Sequence, residues 1–274
     1  MRKVERLSLL VFKPNGVVAF FSDFGLKDHY AGVVKGRILK ELEKAFEIIT
    51  NVQFIDLTHE IPPQDIRKGA LLLKFSYKYF PSGTIFLGIV DPGVGTERRA
   101  IIIQTQKYLF VGPDNGLFTF ILKEESTIKV FEIERDKVLR PPYSSTFHGR
   151  DLFAPVVAKL LLKEDVKNFA KEIGKESLVY LDFPEPLKTK GGYRLSLWNV
   201  DHFGNLITNF SKEMAIKPFE VWVNGKKVRL VNTYAEGEEG EIISLFGSEG
   251  LLEIALKNGS AFEILGYPEI EIKF

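Results

Sequence analysis

Short apolar runs alternate with amphipathic segments through the first part of the chain. The runs at 17–21, 53–58 and 84–90 have the length and the composition of buried strands. Between these runs, over 28–46 and 66–79, apolar residues recur at the helical period with charged residues between them. Strands that alternate with helices predict a Rossmann-like, helix-flanked and mainly parallel sheet, which places this part of the chain in the α/β class.

Farther along, the segments 100–104 and 108–111 predict two strands joined by a polar turn. The segment 152–163 predicts a helix with Pro155 in its first turn, a position that tolerates proline. Both features extend the α/β pattern toward the middle of the chain.

Polar residues stand directly after several of these apparent strands. In a sheet of this kind, ligands bind at the carboxyl ends of the strands. The residues concerned are Asp23, His59, Asp91 and Asn115. Their common position after a strand predicts that they line one shared site.

The pattern changes after a segment rich in Pro and Gly at 184–192, which has the composition of a linker. Beyond it, short strands with Gly-containing turns replace the helices, and a strand pair around Asn224 and Gly225 has a strong hairpin signature. We therefore predict an α/β domain over residues 1–187 and a small all-β, barrel-like domain over residues 188–274.

The charge balance argues against a polyanionic partner. The chain has 37 basic and 36 acidic side chains and a net charge of +1, so its bulk charge favours neither nucleic acid nor an anionic membrane. Small barrels can bind nucleic acid, but residues 191–274 hold eight basic and twelve acidic side chains, a net charge of −4. We therefore expect no nucleic-acid partner.

Two further properties of the sequence narrow the function. The absence of Cys excludes disulfides, thiolate nucleophiles and cysteine metal sites. No apolar run approaches the length of a membrane span, and the apolar stretch at 7–12 is too short for a signal peptide. The sequence predicts a cytoplasmic enzyme with no membrane partner.

The segments 91–99 and 145–151 carry the strongest candidate chemistry. Together they offer Asp91, an Arg and His148, which could hold and polarise one water molecule. An Arg beside Asp91 would keep the carboxylate ionised, so that it could orient water as a hydrogen-bond acceptor but would be a weak general base. The alternative is a Gly-rich connection that carries a surface salt bridge.

Other polar positions have two interpretations each. Asp23 could accept hydrogen bonds from a ribose diol or could serve as a turn residue, and Asp28 is a candidate helix N-cap. Asp56, His59 and Glu60 have metal-binding side chains, but their spacing is not a recognised zinc pattern, and a structural role for His59 is the other interpretation.

The segment 201–205 is the main candidate for base recognition in the predicted second domain. Phe203 could stack on a base, and Asn205 could pair with an adenine edge, because an amide both donates and accepts hydrogen bonds. The alternative is a decorated β-turn. The polar turn at 247–250 has the same two interpretations.

Five segments together resemble one enzyme family, the S-adenosyl-L-methionine (SAM) hydrolases or SAM hydroxide adenosyltransferases, which are relatives of fluorinase and chlorinase. Each segment alone is weak evidence, whereas five in this order are specific. They are Phe21-Ser22-Asp23-Phe24-Gly25, the stretch 91–99, Pro113-Asp114-Asn115-Gly116, the stretch 145–151 and Asp201-His202-Phe203-Gly204-Asn205. The resemblance covers nearly the whole chain except an N-terminal extension to about Gly16.

The resemblance implies that water attacks the 5′ carbon of the ribose and splits SAM into adenosine and L-methionine, with no cofactor and no metal. It implies a water-binding triad of Asp91, Arg98 and His148. It also implies homotrimers with the site between the first domain of one subunit and the second domain of a neighbour.

The same resemblance implies a set of substrate-binding positions. Asp23 corresponds to the position that binds the ribose hydroxyls, and Phe203 and Asn205 correspond to adenine contacts. The remaining positions are Asn115, together with Asp28, Asp201, Ser248 and Glu249 near the methionine end. Glu249 stands where fluorinase has a basic residue near the methionine carboxylate.

The triad also separates this chain from the halogenating relatives, which have uncharged or aromatic residues at these positions. An anionic Asp91 near the line of attack would repel fluoride or chloride, so the resemblance favours water as the nucleophile. Two alternatives remain at this stage. One is a metal-dependent nucleotide hydrolase that uses Asp23, His59, Asp91 and His148. The other is a regulatory protein that binds SAM or adenosine without turnover.

Overall fold

The computed structural model describes residues 13–126 and 128–274. The chain divides into two units, and the boundary lies between Leu181 and Asp182. We call them the first unit and the second unit. The apolar stretch at 7–12 and most of the predicted N-terminal extension lie outside the described residues.

A seven-stranded sheet forms the centre of the first unit. Its strands are β1 (Val17–Ser22), β2 (Gln53–Thr58), β3 (Ile85–Ile89), β4 (Ala100–Gln104), β5 (Leu109–Pro113), β6 (Lys129–Ile133) and β7 (Ala170–Ile173). In the order β2-β1-β3-β5-β4-β6-β7, the first four strands are parallel and the remaining pairings are antiparallel. The α/β class is confirmed, but the prediction of a mainly parallel sheet is wrong, because the sheet is mixed.

The physical reason lies in the connection between β4 and β5. The hydroxyl of Thr105 accepts a hydrogen bond from the backbone N–H of Tyr108 at 3.0 Å, which closes a tight turn between the two strands. Strands joined by so short a turn can pair only in antiparallel fashion. Periodicity identified both strands correctly but carries no information about their direction in the sheet.

Helices cover both faces of this sheet, as predicted. They are α1 (Tyr30–Glu41), α2 (Phe46–Ile49), α3 (Ile66–Ser76), α4 (Thr119–Glu124), α5 (Arg135–Val138) and α6 (Ala154–Leu161), and a π-helical turn over Gly149–Phe153 leads into α6. Short 3-10 turns occur at Tyr77–Tyr79, Val166–Asn168, Lys175–Ser177, Lys212–Met214 and Tyr234–Glu236. Pro155 lies in the first turn of α6, as predicted. Helix α1 begins one residue after His29, so Asp28 is not its N-cap.

Alternation along β1 explains the two faces. Val18 and Phe20 belong to the apolar cluster that includes residues of α1 and α6, whereas Ala19 and Phe21 belong to the cluster under α3 and α4. These four residues are 0% exposed, which is the expected state of a strand covered on both faces. No helix among the described residues is both long and apolar enough to cross a membrane.

The second unit contains a nine-stranded sheet and one short helix. Its elements are β8 (Leu187–Lys188), β9 (Gly192–Leu195), β10 (Leu197–Val200), β11 (Leu206–Ser211), β12 (Glu220–Val223), β13 (Lys226–Leu230), β14 (Ile242–Phe246), β15 (Leu251–Leu256), α7 (Ala261–Leu265) and β16 (Ile270–Lys273). All pairings are antiparallel except that of β13 with β14. The helix α7 shows that the unit is not purely all-β.

The predicted hairpin and the curled shape of this sheet both have local causes. Strands β12 and β13 pair around Asn224 and Gly225, whose φ angles of 48° and 74° are those of a type I′ turn. Asn209 of β11 exchanges two hydrogen bonds of 3.0 Å with Ser196, which directly follows β9. The sheet therefore curls toward itself over a main apolar cluster, and a smaller cluster contains Val231, Ile243, Leu245 and Ala255, which agrees in part with the barrel-like prediction.

Glycine substitutions test how tightly the first sheet is packed. A Cβ at Gly88 of β3 would lie 2.5 Å from Phe21 Cζ and 2.9 Å from Leu117 Cδ2, so Gly88→Ala should lower the unfolding free energy by about 1–3 kcal/mol. At the exposed Gly36 of α1 a Cβ meets nothing within 4 Å, and Gly36→Ala should raise the unfolding free energy by about 0.5–1 kcal/mol. Chemical denaturation measures both changes, and equal signs would contradict this description.

Candidate active site

Asp91 and Arg98 form a buried ion pair in the loop between β3 and β4. Arg98 Nε donates to Asp91 Oδ1 at 2.9 Å, and Arg98 Nη2 donates to Asp91 Oδ2. The side chain of Asp91 is 6% exposed and that of Arg98 is 9% exposed. A bidentate pair of this kind fixes the plane of the carboxylate as well as its charge.

His148 extends this pair into a cluster of three. It stands directly before the π-helical turn, is 3% exposed, and places Nδ1 3.1 Å from Arg98 Nη2. Because a guanidinium can only donate, Nδ1 must accept, and the proton of the neutral ring must lie on Nε2. Burial lowers the pKa of His148, and the charges of Arg98 and Arg135 lower it further. The imidazole is therefore neutral at pH 7, with its N–H directed away from Arg98.

A close backbone approach brings the two predicted segments together. Gly95 has a φ of +81°, and a Cβ there would lie 2.8 Å from the carbonyl oxygen of Ser145. Only glycine satisfies both conditions without strain. The positions of Asp91 and Arg98 relative to His148 therefore depend on the absence of a side chain at residue 95.

Sequence reasoning missed Arg135 of α5. Its guanidinium donates to the carbonyl oxygens of Thr96, at 2.9 Å, and of Arg98. It thereby fastens the main chain of the loop. The sequence carries no signal for this role, since one Arg in a short helix is an ordinary surface residue.

Arg98 retains one unused donor. Within the described part of the chain, its Nη1 is buried and has no hydrogen-bond partner. The guanidinium lies over the ring of Phe153, with Cζ 5.3 Å from the centroid. Buried donors nearly always have an acceptor, so this atom calls for one supplied by a water molecule or a ligand.

The other predicted residues of the first unit occupy separate positions around the strand ends. Asp23 directly follows β1, and its Oδ2 accepts a hydrogen bond of 2.8 Å from the backbone N–H of Gln64. Asp28 is exposed before α1. Asn115 donates to the carbonyl oxygen of Val90 at 2.8 Å, so it ties the end of β3 to the loop after β5.

In the second unit, Asp201 organises the predicted base-binding turn. Its Oδ1 accepts from the backbone N–H groups of Phe203 and Asn205, at 2.9 and 2.8 Å. Its Oδ2 accepts from Asn205 Nδ2 at 2.9 Å. Asn205 is buried by these contacts, whereas Phe203 is left 73% exposed. The turn thus presents an aromatic face that the unit itself does not cover.

Ser248 and Glu249 lie in the turn between β14 and β15, where Ser248 Oγ donates to Glu249 Oε1 at 3.1 Å. Nearby in sequence, Gly247 permits a close approach of the buried Glu253, because a Cβ at Gly247 would lie 1.7 Å from Glu253 Oε1. Burial raises the pKa of Glu253, and the charges of Asp201 and Glu249 raise it further. The carboxyl groups of Asp201 and Glu249 thus lie close enough for their charges to act on Glu253.

The segment that suggested a metal contains contacts of another kind. His59 is 2% exposed, its Nδ1 lies 2.7 Å from Ser22 Oγ, and its ring packs edge-on against Phe20 with centroids 4.6 Å apart. Within the described residues, no group of three or more His, Asp or Glu side chains is placed to share a metal ion. His59 thus has the structural partners that the second interpretation of its sequence predicts.

Two family models match the chain, one in each unit. The family model for the SAM hydroxide adenosyltransferase N-terminal domain matches residues 18–170, and the model for the C-terminal domain matches residues 196–270. The chain belongs to the SAM hydroxide adenosyltransferase family. The family match begins after Gly16, as the sequence resemblance predicts.

Individual relatives agree with this assignment. The (R)-S-adenosyl-L-methionine hydrolase of Thermus thermophilus is 39% identical over 92% of this chain and 96% of that protein. The enzyme of the same name from Methanocaldococcus jannaschii is 34% identical over 93% and 95%. The crystal structure of an uncharacterized conserved protein from Thermotoga maritima has a TM-score of 0.82 and 32% identity, and the match covers 94% of this chain and 100% of that one.

The predicted relation to fluorinase is also confirmed. The fluorinase of Actinoplanes sp. (strain N902-109) is 25% identical over 88% of this chain and 91% of that protein. Its identity is lower than that of either hydrolase. The family recognised from the sequence is therefore confirmed, since both SAM hydrolases and a fluorinase match the chain.

The lowered pKa of His148 predicts a contribution to the pH dependence of stability. Because the folded state binds this proton more weakly than the unfolded state, whose histidine titrates near 6.5, stability is full above pH 6.5 and is lost as pH falls through the folded pKa. His148→Gln should reduce the slope of unfolding free energy against pH below 6.5 by at most about 1.4 kcal/mol per pH unit. Urea denaturation of the wild type and the variant from pH 4.5 to 8 measures this slope. Equal slopes below pH 6.5 would contradict the lowered pKa of His148.

Proposed function

We propose that this protein hydrolyses SAM to adenosine and L-methionine at a site that includes Asp91, Arg98 and His148. The observation that carries the proposal is the buried, bidentate Asp91–Arg98 pair with an unused donor at Arg98 Nη1. A water molecule that accepts from this atom and donates to Asp91 would satisfy the orphaned N–H. It would also be held in one orientation.

The tautomer of His148 refines how the three residues share this task. Since Nδ1 accepts from Arg98, the free Nε2 donates, so Asp91 supplies the acceptor for the water and His148 supplies a second donor. The water oxygen has two lone pairs, so attack requires one of the two donors to release it, while the other donor and Asp91 keep it oriented. The cluster therefore positions and polarises water rather than removing its proton with a strong base.

The balance of the reaction suits this cluster. The water oxygen forms a bond to the 5′ carbon as the bond from that carbon to sulfur breaks. The electron pair of the broken bond stays on sulfur, so the sulfonium departs as a neutral thioether. No acid is needed to protonate the leaving group, and the excess proton of the water passes along its hydrogen bond to Asp91 and then to solvent. The residues present can thus perform the whole step without a cofactor.

Substrate recognition is proposed to use the residues named from sequence. Asp23 would bind the ribose diol, Phe203 would stack on adenine, and Asn205 would bind its edge, which its anchored amide supports. Asp28, Ser248 and Glu249 would lie toward the methionine end. The contacts described above support indirect roles for Asp201, which shapes the turn around Phe203, and for Asn115, which shapes the end of β3.

Three finer points remain predictions. The hydrolases from Thermus and Methanocaldococcus are named for the (R) form of the substrate, so we propose that this chain also uses the (R)-sulfonium epimer. The homotrimer with a site at the subunit interface rests on the family resemblance, and the cytoplasmic location rests on the sequence. A regulatory protein without turnover and a metal-dependent nucleotide hydrolase are not favoured, because the relatives are named as SAM hydrolases.

Isotope incorporation tests the reaction directly. EDTA-treated protein incubated with each SAM epimer in 18O-labelled water should yield adenosine that carries one 18O atom and methionine that carries none. Mass spectrometry of the separated products measures the label. Binding of SAM with no product would support the regulatory alternative, and loss of activity after EDTA treatment would support the metal-dependent one.

Removing the charge of Asp91 should slow turnover strongly. Asp91→Asn removes the negative charge, replaces one acceptor oxygen with a donor NH2 group and leaves Arg98 buried without its counter-ion, so kcat should fall about 100- to 1,000-fold. Asp136→Asn, which removes an exposed carboxylate from α5, is the matched control and should keep the wild-type rate. Steady-state kinetics measures both, and an unchanged rate for Asp91→Asn would refute the assignment of the water site.

A further inference from the structure

Ser22, His59 and Asp56 form a chain of contacts at the carboxyl ends of β1 and β2 that the hydrolysis step does not use. Ser22 Oγ lies 2.7 Å from His59 Nδ1, and His59 Nε2 lies 3.2 Å from Asp56 Oδ1. Lys35 of α1 donates to Asp56 Oδ2 at 2.6 Å. Ser22 and His59 are 0% and 2% exposed. The contacts run from the surface of α1 to the residue that directly precedes Asp23.

One arrangement of protons accounts for these contacts. The ring nitrogen Nε2 faces a carboxylate and therefore carries the proton, so Nδ1 accepts from the hydroxyl of Ser22. Within the described residues Nε2 is buried without a hydrogen-bond partner, so the carboxylate of Asp56, 3.2 Å away, acts on the ring through its charge. Burial lowers the pKa of His59 and keeps the ring neutral. The hydroxyl of Ser22 also accepts from the backbone N–H of Phe24 at 3.3 Å.

A Ser, a His and an Asp in this order resemble the triad of a serine hydrolase. In such enzymes the hydroxyl oxygen is open to an electrophile. Here Ser22 is fully buried in β1, and its oxygen already receives the N–H of Phe24. The arrangement therefore suits a positioning role and not a nucleophilic one.

The same histidine segment holds the Asp23 loop at two further points. The backbone N–H of Gly25 donates to the carbonyl oxygen of His59 at 2.7 Å. The backbone N–H of Gln64 donates to Asp23 Oδ2 at 2.8 Å, and Gln64 has a φ of 68°. A non-glycine residue keeps such a conformation only where its surroundings impose it. The loop and the carboxylate of Asp23 are thus oriented by the segment that His59 anchors.

We propose that His59 is a positioning residue for nucleoside recognition, which acts through Ser22 and Gly25 to hold the Asp23 carboxylate in the orientation that receives the ribose diol. The inference rests on the proposed function only for the assignment of Asp23 to the ribose. It adds that selection for the diol depends on a buried histidine that does not touch the substrate.

Equilibrium binding of nucleosides tests this without any turnover. Isothermal titration calorimetry with adenosine, 2′-deoxyadenosine and 3′-deoxyadenosine gives the diol preference as a ratio of Kd values. The wild-type ratio should be about 10- to 100-fold, the size of a hydrogen bond to a charged group. Asp23→Ala should reduce it to about 1, the value expected when no charged acceptor remains. His59→Leu and Ser22→Ala should each reduce it to within about threefold of the Asp23→Ala value, because a carboxylate held in the wrong place no longer discriminates.

Two controls separate positioning from general destabilisation. His59→Asn retains an acceptor near the position of Nδ1 and should restore most of the preference. Thr105 is 3% exposed, and its hydroxyl accepts a 3.0 Å hydrogen bond in the turn between β4 and β5; Thr105→Val removes this hydroxyl. It should lower the melting temperature while leaving the ratio unchanged.

The outcomes distinguish this inference from the proposed function. Wild-type ratios in both His59→Leu and Ser22→Ala, a loss of the ratio in Thr105→Val, or a wild-type ratio in Asp23→Ala would each overturn the inference. Covalent labelling of Ser22 by a fluorophosphonate would also overturn it. A diol preference that depends on His59 in a protein that does not hydrolyse SAM would support the inference while refuting the proposed function.

Discussion

The buried ion pair between Asp91 and Arg98 is the interaction on which the site depends. Two charges with little solvent around them are costly unless each oxygen and each N–H has a partner, and removing one member of such a pair costs about 3–5 kcal/mol. Four groups of the pair are matched by the bidentate contact and by His148, while Arg98 Nη1 is not. The unmatched Nη1 is therefore a donor available to an atom of a bound ligand.

The scaffold around the pair serves mainly to limit its freedom. Strand β3 lies inside the sheet between β1 and β5, so the residue that follows it starts from a rigid position. Gly95 allows the loop to touch Ser145, and Arg135 fastens the main chain of the loop at Thr96 and Arg98. Catalysis by orientation needs such restraint, because a water molecule held loosely gains little over bulk solvent.

The carboxyl groups near the candidate site residues have different partners in the two units. In the first unit, three acidic side chains near the strand ends are matched by Arg, namely Asp91 by Arg98, Asp114 by Arg99 and Asp151 by Arg150. In the second unit, Asp201 is satisfied by backbone and amide N–H groups, and Glu253 by the hydroxyl of Tyr234. These two carboxyl groups are thus held by neutral donors rather than by Arg.

The sequence by itself determined the strands β1 to β5, the presence of the helices α1, α3 and α6, the α/β class, the hairpin at Asn224 and the segments that contain Asp91, Arg98 and His148. These features arise from residues close together along the chain, namely apolar period, turn residues and local clusters of polar groups. Only the tertiary structure decided the direction of β4, the proton position on His148, the loop contacts of Arg135 and the chain from Lys35 to Ser22. Each of these depends on which distant residues meet and at what angle, and neither composition nor period encodes that geometry.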